Sequence, residues 1–194
     1  MNTKNKINKQ KSSYWTEIKQ ILTQRPQNDL LILIADLYAL SKQNKDFLNA
    51  RFVRDNKAIE QYKNKVKRYL APDEPWKSSQ QVSLQEAKKA ISDYKKAAND
   101  QIGMIDLMVY YVECGTDFLC EYGDMYEQYY ISLESVFENA LKLMQQHPVR
   151  EMENFIVRLA EVVKKADHTG WGYYDTISSL LNDAYADEEE LLSV

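Results

Sequence analysis

The chain is poor in the residues that make tight turns, with five glycines and four prolines in 194 residues. That leaves little material for the closely spaced turns of a β-sandwich or barrel. Histidine and cysteine are equally scarce, at two each. A His-based metal centre has too few ligands, and the Glu-x-x-His pairs of a helical di-iron bundle are absent. There is no Gly-rich phosphate loop, no His-Glu-x-x-His, no Gly-x-Ser-x-Gly and no cysteine pair at metal spacing. The expectation is a protein that is not an enzyme and carries no cofactor and no metal. Long apolar runs are missing too. The longest, Leu30 to Ala35, has six residues, against roughly 20 for a membrane-spanning helix.

Residues 1–11 are polar and Lys-rich with no apolar stretch behind them. They match neither a secretory signal nor an anchor and read as a disordered basic leader. Cys114 and Cys120 fall in one expected helix, six residues apart. At about 100° per residue they point to different faces and cannot bridge each other. Two reduced thiols and no signal place the protein in the cytoplasm.

What is present is helical periodicity. The composition, 44% hydrophobic and 28% charged, is that of a folded protein. Trp15, Ile18 and Leu22 make one helical face before Arg25-Pro26 breaks it. The next segment, to Leu40, is apolar on nearly every side, which predicts a helix at the centre of the core. A third region spans 45–70, with a bend near Asp55-Asn56. A stiff linker with two prolines follows at 71–82. Ser83 and Glu86 form a capping box at the head of a near-heptad pattern over 83–121, which leaves open one long helix or two. Gly103 and Gly115 inside it mark bends or close helix contacts, and Gly123 is a C-terminal stop. Asp124 and Glu127 make a second box. Two further amphipathic segments follow, then the loop Asp167-His168-Thr169-Gly170-Trp171-Gly172 and a last short helix. The expected fold is all-α, an antiparallel bundle or irregular α-solenoid of six to eight helices. It forms a single helical domain over 12–190.

Charge is strongly segregated. Residues 1–70 hold 15 Lys/Arg against 6 Asp/Glu, a balance of +9, and residues 103–194 hold 5 against 18, a balance of −13. The simplest account is that the two segments face each other, within a chain or between copies. Three groups stand out as candidate sites. On the basic region, Arg51, Arg54, Lys65 and Arg68 recur at helical spacing, broadened by Lys57, Lys63 and Lys67. They could follow a phosphate backbone or pair with carboxylates. In the 167–174 loop, His168, Trp171, Tyr173 and Tyr174 could contact a partner. Asp106, Glu113 and Asp117 share one helical face with Tyr110, and Glu121 lies a little beyond. Close carboxylates could hold a hard cation, but a solvated or acid–base-paired face is the simpler reading.

The stretch Leu31-Ile32-Leu33-Ile34-Ala35-Asp36-Leu37-Tyr38-Ala39-Leu40-Ser41-Lys42-Gln43-Asn44-Lys45-Asp46-Phe47-Leu48-Asn49-Ala50-Arg51-Phe52 resembles the opening of a family of small all-helical bacterial proteins of unknown function. The closing Thr169-Gly170-Trp171-Gly172-Tyr173-Tyr174 is similar in kind to that family's end. The resemblance implies a bacterial helical fold and transfers no catalytic residue.

These readings favour a non-enzymatic interaction or scaffold protein that binds a protein partner or itself, away from membranes. The alternative is a nucleic-acid-associated protein using the basic helix at 45–70. That alternative requires DNA or RNA binding that falls steeply with salt and is abolished by Arg51→Glu with Arg54→Glu. A wild-type chain that shifts no nucleic acid in a gel at low salt removes it.

Overall fold

A computed structural model describes residues 4–53, 56–77 and 81–187. Among the described residues there are nine helices and no strand. They are α1 (Lys4–Thr23), α2 (Gln27–Leu40), α3 (Lys42–Phe52), α4 (Asn56–Leu70), α5 (Leu84–Ala97), α6 (Gln101–Tyr122), α7 (Glu127–Met144), α8 (Val149–Ala166) and α9 (Tyr173–Tyr185). The all-α class holds. The expected six to eight helices become nine because both long regions break. The 45–70 region divides into α3 and α4. The 83–121 region divides at Ala98–Asp100, where the Asp100 carboxylate accepts the Gly103 N–H at 2.9 Å and caps α6. Ser83 caps α5 as its box implies, accepting the Glu86 N–H at 3.4 Å. Gly123 ends α6 at φ 86°, in the left-handed region that glycine adopts at little cost. The second box does not form. Helix α7 starts after Tyr126 without a side-chain cap, because Asp124 is engaged elsewhere.

The chain divides into two units, Met1–Lys45 and Asp46–Val194. In the first, α1 begins at Lys4, well before the expected start at Ser12, and no glycine or proline interrupts the stretch between. The placement of α2 at the centre of the core is overturned. No side chain of α2 is buried, and Leu31, Ile32, Leu33, Ile34 and Leu37 are between 40 and 56% exposed. An all-round apolar helix needs neighbours on all sides, and the first unit supplies none that covers it. Trp15, Ile18 and Ile21 of α1 are themselves exposed, and Leu22 is half-buried.

In the second unit the helices gather round α6, which packs on α4, α5, α7 and α8, with α9 against α7 and α8. Each contributes its apolar stripe. Ile105 and Val112 of α6, Leu133 and Phe137 of α7, Ile156 and Leu159 of α8 and Ile177 of α9 are all fully buried. Many of the tyrosines lie in these contacts, and several of their hydroxyls find partners there, while the buried Tyr185 hydroxyl has none among the described residues. Tyr129 donates to the Leu70 carbonyl at 3.0 Å, and Tyr111 and Ser132 share a hydrogen bond at 2.7 Å.

At Gly115, α6 comes close to α7. A Cβ there would overlap the side chain of Leu133, which is fully buried and has little room to swing. Overpacking of this kind costs about 1–3 kcal/mol, while alanine's helix propensity returns about 1 kcal/mol. Gly115→Ala should therefore lower stability in urea titration by up to about 2 kcal/mol. A variant as stable as the wild type would show that Leu133 is free to repack.

Candidate functional site

The acidic face of α6 is occupied by the protein's own cations. Arg158 of α8 donates from Nε and Nη2 to the two carboxylate oxygens of Glu113, each at 2.7 Å. Its Nη1 reaches Asp106 Oδ1, also at 2.7 Å. Lys63 of α4 takes the other Asp106 oxygen at 2.7 Å and lies over the Tyr110 ring. Lys165 pairs with Asp117 at 2.6 Å. Both Arg158 bonds to Glu113 are charge-assisted and parallel, the geometry that guanidinium gives a carboxylate. Burial pushes the Asp106 carboxyl up, but the hydrogen bonds and charges of Lys63 and Arg158 outweigh it and hold it below its ordinary value. The three carboxylates proposed as weak metal ligands are thus an ion-pair network. Among the described residues no group of three His, Cys, Asp or Glu is arranged to hold a metal ion. Arg158 and Lys165 were not singled out in the sequence. The available signal was two cations, Arg158 and Lys165, seven residues apart and so on one helical face within an otherwise acidic segment.

The basic group is dispersed. Arg51 donates to the Lys96 carbonyl at 2.8 Å and sits over Phe47. Lys65 pairs with the buried Asp46 at 2.8 Å. Arg68 lies over the ring of its neighbour Tyr69, and Lys67 pairs with Asp73. Arg54 lies outside the described residues. Lys63–Asp106 is the one ion pair among the described residues that joins the basic segment 1–70 to the acidic segment 103–194. It is made by none of the four residues singled out. The other acidic-segment pairs lie within that segment, through Arg158, Lys165 and Lys142.

The loop before α9 separates its four candidates. Tyr173 is fully buried, its hydroxyl shares a hydrogen bond with Thr116 at 2.9 Å, and its ring packs on Tyr130. It is a core residue and no partner can reach it. Tyr174 is half-buried and packs against the core. His168 and Trp171 face solvent, Trp171 at 60% exposure. Trp171 has φ 60° and Gly172 has φ 68°, so the ring is turned outward by a left-handed backbone that a bulky residue rarely adopts. Asp124 braces the turn by accepting the Tyr130 hydroxyl at 2.7 Å and the Gly170 N–H at 3.2 Å. This is the bond that leaves α7 uncapped.

Both cysteines are free, Cys114 half-buried and Cys120 exposed. Burial, the leading cause, pushes the Cys114 thiol up to about 11, so it stays a thiol and a poor nucleophile at neutral pH. The largest surface that sequence reasoning placed wrongly is α2. Its apolar run was legible, but its exposure was not.

Because Asp106 is held below its ordinary value, its pairing stabilises the fold above the unfolded carboxylate range, near pH 4, and the contribution is lost as pH falls through the folded value. Asp106→Asn should therefore flatten the acid limb of the stability–pH curve. Arg158→Met should cost about 1–3 kcal/mol at pH 7, since two partly buried carboxylates lose their common partner. An Arg158→Met chain that melts with the wild type at pH 7 would mean that solvent already screens the network.

No protein family, no curated protein and no solved structure matches the chain.

Proposed function

We propose that the protein is a non-enzymatic helical interaction protein that binds a protein partner through the apolar surface of its first unit. The observation that carries this reading is the exposure of α2. Four consecutive apolar side chains, Leu31 to Ile34, cover all sides of the helix and none is buried. Covering one such side chain gains roughly 1.5–3 kcal/mol when burial is complete, so several together supply most of what a specific complex needs. Trp15, Ile18 and Ile21 of α1 are exposed as well.

A protein partner suits α2 better than a lipid surface. A helix lying in a membrane interface has one apolar and one charged, usually basic, face. Helix α2 has no polar face, and its two charged residues, Asp29 and Asp36, are acidic. Among the described residues no helix is long and apolar enough to cross a membrane. The nucleic-acid reading loses support because Lys63, Lys65 and Lys67 are already paired with carboxylates. A catalytic reading of the α6 carboxylates loses support because cations occupy them. Membership of a family of small bacterial helical proteins, and a cytoplasmic location, belong to the same proposal.

The test is a triple variant, Leu33→Asp, Ile34→Asp and Leu37→Asp, compared with wild type in capture from host lysate and in light scattering. The variant should lose the captured protein or the self-association, while its melting temperature stays within a few degrees because no core residue has changed. Two results would sink the reading. One is a large fall in melting temperature, which would place α2 in the core. The other is wild type that co-sediments with anionic vesicles and retains no protein.

A further inference from the structure

The second unit carries a groove between α5, the start of α6 and the second half of α7, with a volume of about 780 Å³. Ile91, Met104 and Met108 give it apolar surface. Lys142, on its α7 side, is held by Glu138 at 2.6 Å. Lys88 and Lys95 line its α5 side, and among the described residues no ion pair engages either. Burial with no carboxylate partner pushes the Lys88 ammonium down from its ordinary value. The carboxylate that lines the groove, Asp100, already accepts from the Tyr94 hydroxyl and the Gly103 N–H.

On α5 the groove side reads Lys88, Ile91, Ser92, Lys95, at i, i+3, i+4 and i+7. This is one helical stripe with a cation at each end. The exposed helix α2 carries the complementary stripe at the same spacing, Asp29, Ile32, Leu33, Asp36. Ile32 and Leu33 are 55 and 40% exposed. Asp29 is met by Arg25 at 3.8 Å, a long and solvated pair, and among the described residues no ion pair engages Asp36. Seven residues bring a helix back to within about 20° of its starting direction and advance it about 10.5 Å. Two helices laid side by side, in either direction, therefore bring both carboxylates to both ammonium groups at once, with the apolar residues between them.

We infer that α2 of one copy seats in the α5–α6–α7 groove of a second copy, with Asp29 and Asp36 on Lys88 and Lys95 and with Ile32 and Leu33 over Ile91 and Met104. This rests on the reading of α2 as a docking helix and names its partner as the chain itself. The two surfaces differ, so the contact closes only by exchange. Two copies that each insert α2 into the other form a two-fold dimer, and one-way insertion leaves a helix and a groove open at the ends for further copies.

Carbodiimide cross-linking of a mixture of ordinary and 15N-labelled wild-type chains, read by mass spectrometry, tests the seat directly. Links from Asp29 or Asp36 to Lys88 or Lys95 should join light to heavy chains and fade on dilution. Charge exchange tests the pairing. In sedimentation, Lys88→Glu with Lys95→Glu, and separately Asp29→Lys with Asp36→Lys, should each weaken self-association about ten-fold or more. An equimolar mixture of the two variants should restore it, because each groove then meets an α2 of opposite charge. Wild type that is monomeric at every concentration would overturn the assignment. So would links confined to single chains, which seat α2 in its own groove, and variants that associate as wild type does. The broader reading of α2 fails on a different result, a Leu33→Asp, Ile34→Asp, Leu37→Asp chain that keeps both its self-association and its captured host protein.

Discussion

One guanidinium sets the register of the second unit. Arg158 binds Glu113 with two parallel hydrogen bonds and Asp106 with a third, and these carboxylates lie two turns apart on α6. Such a fork tolerates little sliding or rotation of α8 along α6. With α8 so placed, Lys165 meets Asp117 one further pair along, and the apolar stripe of Met152, Phe155, Ile156 and Leu159 turns into the core. Lys63 joins the same network from α4 through the second oxygen of Asp106. Three helices are thus tied at one half-buried point, and the apolar packing of α7 and α9 fills the opposite side of α6. Net stabilisation by such a network is modest, because desolvation offsets much of the attraction. Its contribution is to exclude other registers, which an apolar stripe alone distinguishes poorly.

The same network explains why the charge asymmetry of the sequence overstated contact between its ends. The acidic segment holds few cations, but Arg158 and Lys165 stand where the α6 carboxylates need them. Among the described residues only Lys63 crosses from the basic segment. Net charge counted over long windows says how much charge must be solvated or matched, and leaves open which residues match it.

Local signals were legible where their cause is local. The Ser83 N-cap, the Gly123 stop and the 3/4 spacing of α6, α7 and α8 depend on residues within a turn or two of each other, and the structure has them. Residues whose role depends on distant neighbours were not legible. The run Leu30–Ile34 has the composition of a core helix, but burial requires partners that composition does not supply, and α2 is exposed. His168, Trp171, Tyr173 and Tyr174 were equivalent as a loop cluster. The positive φ of Trp171 turns one ring out, and the first turn of α9 carries Tyr173 in. Asp124 looked like a helix cap and became the brace of that loop, 46 residues away.

The second unit therefore has a packed core of its own, while the first presents apolar side chains to water, and the proposed function rests on that contrast. Native-state hydrogen exchange by mass spectrometry, at the lowest workable protein concentration, measures it directly. Amides of α6, α7 and α8 should exchange only through global unfolding, and those of α1 and α2 orders of magnitude faster. Protection of α2 equal to that of α6, independent of concentration, would show the first unit buried within its own chain and would contradict the claim.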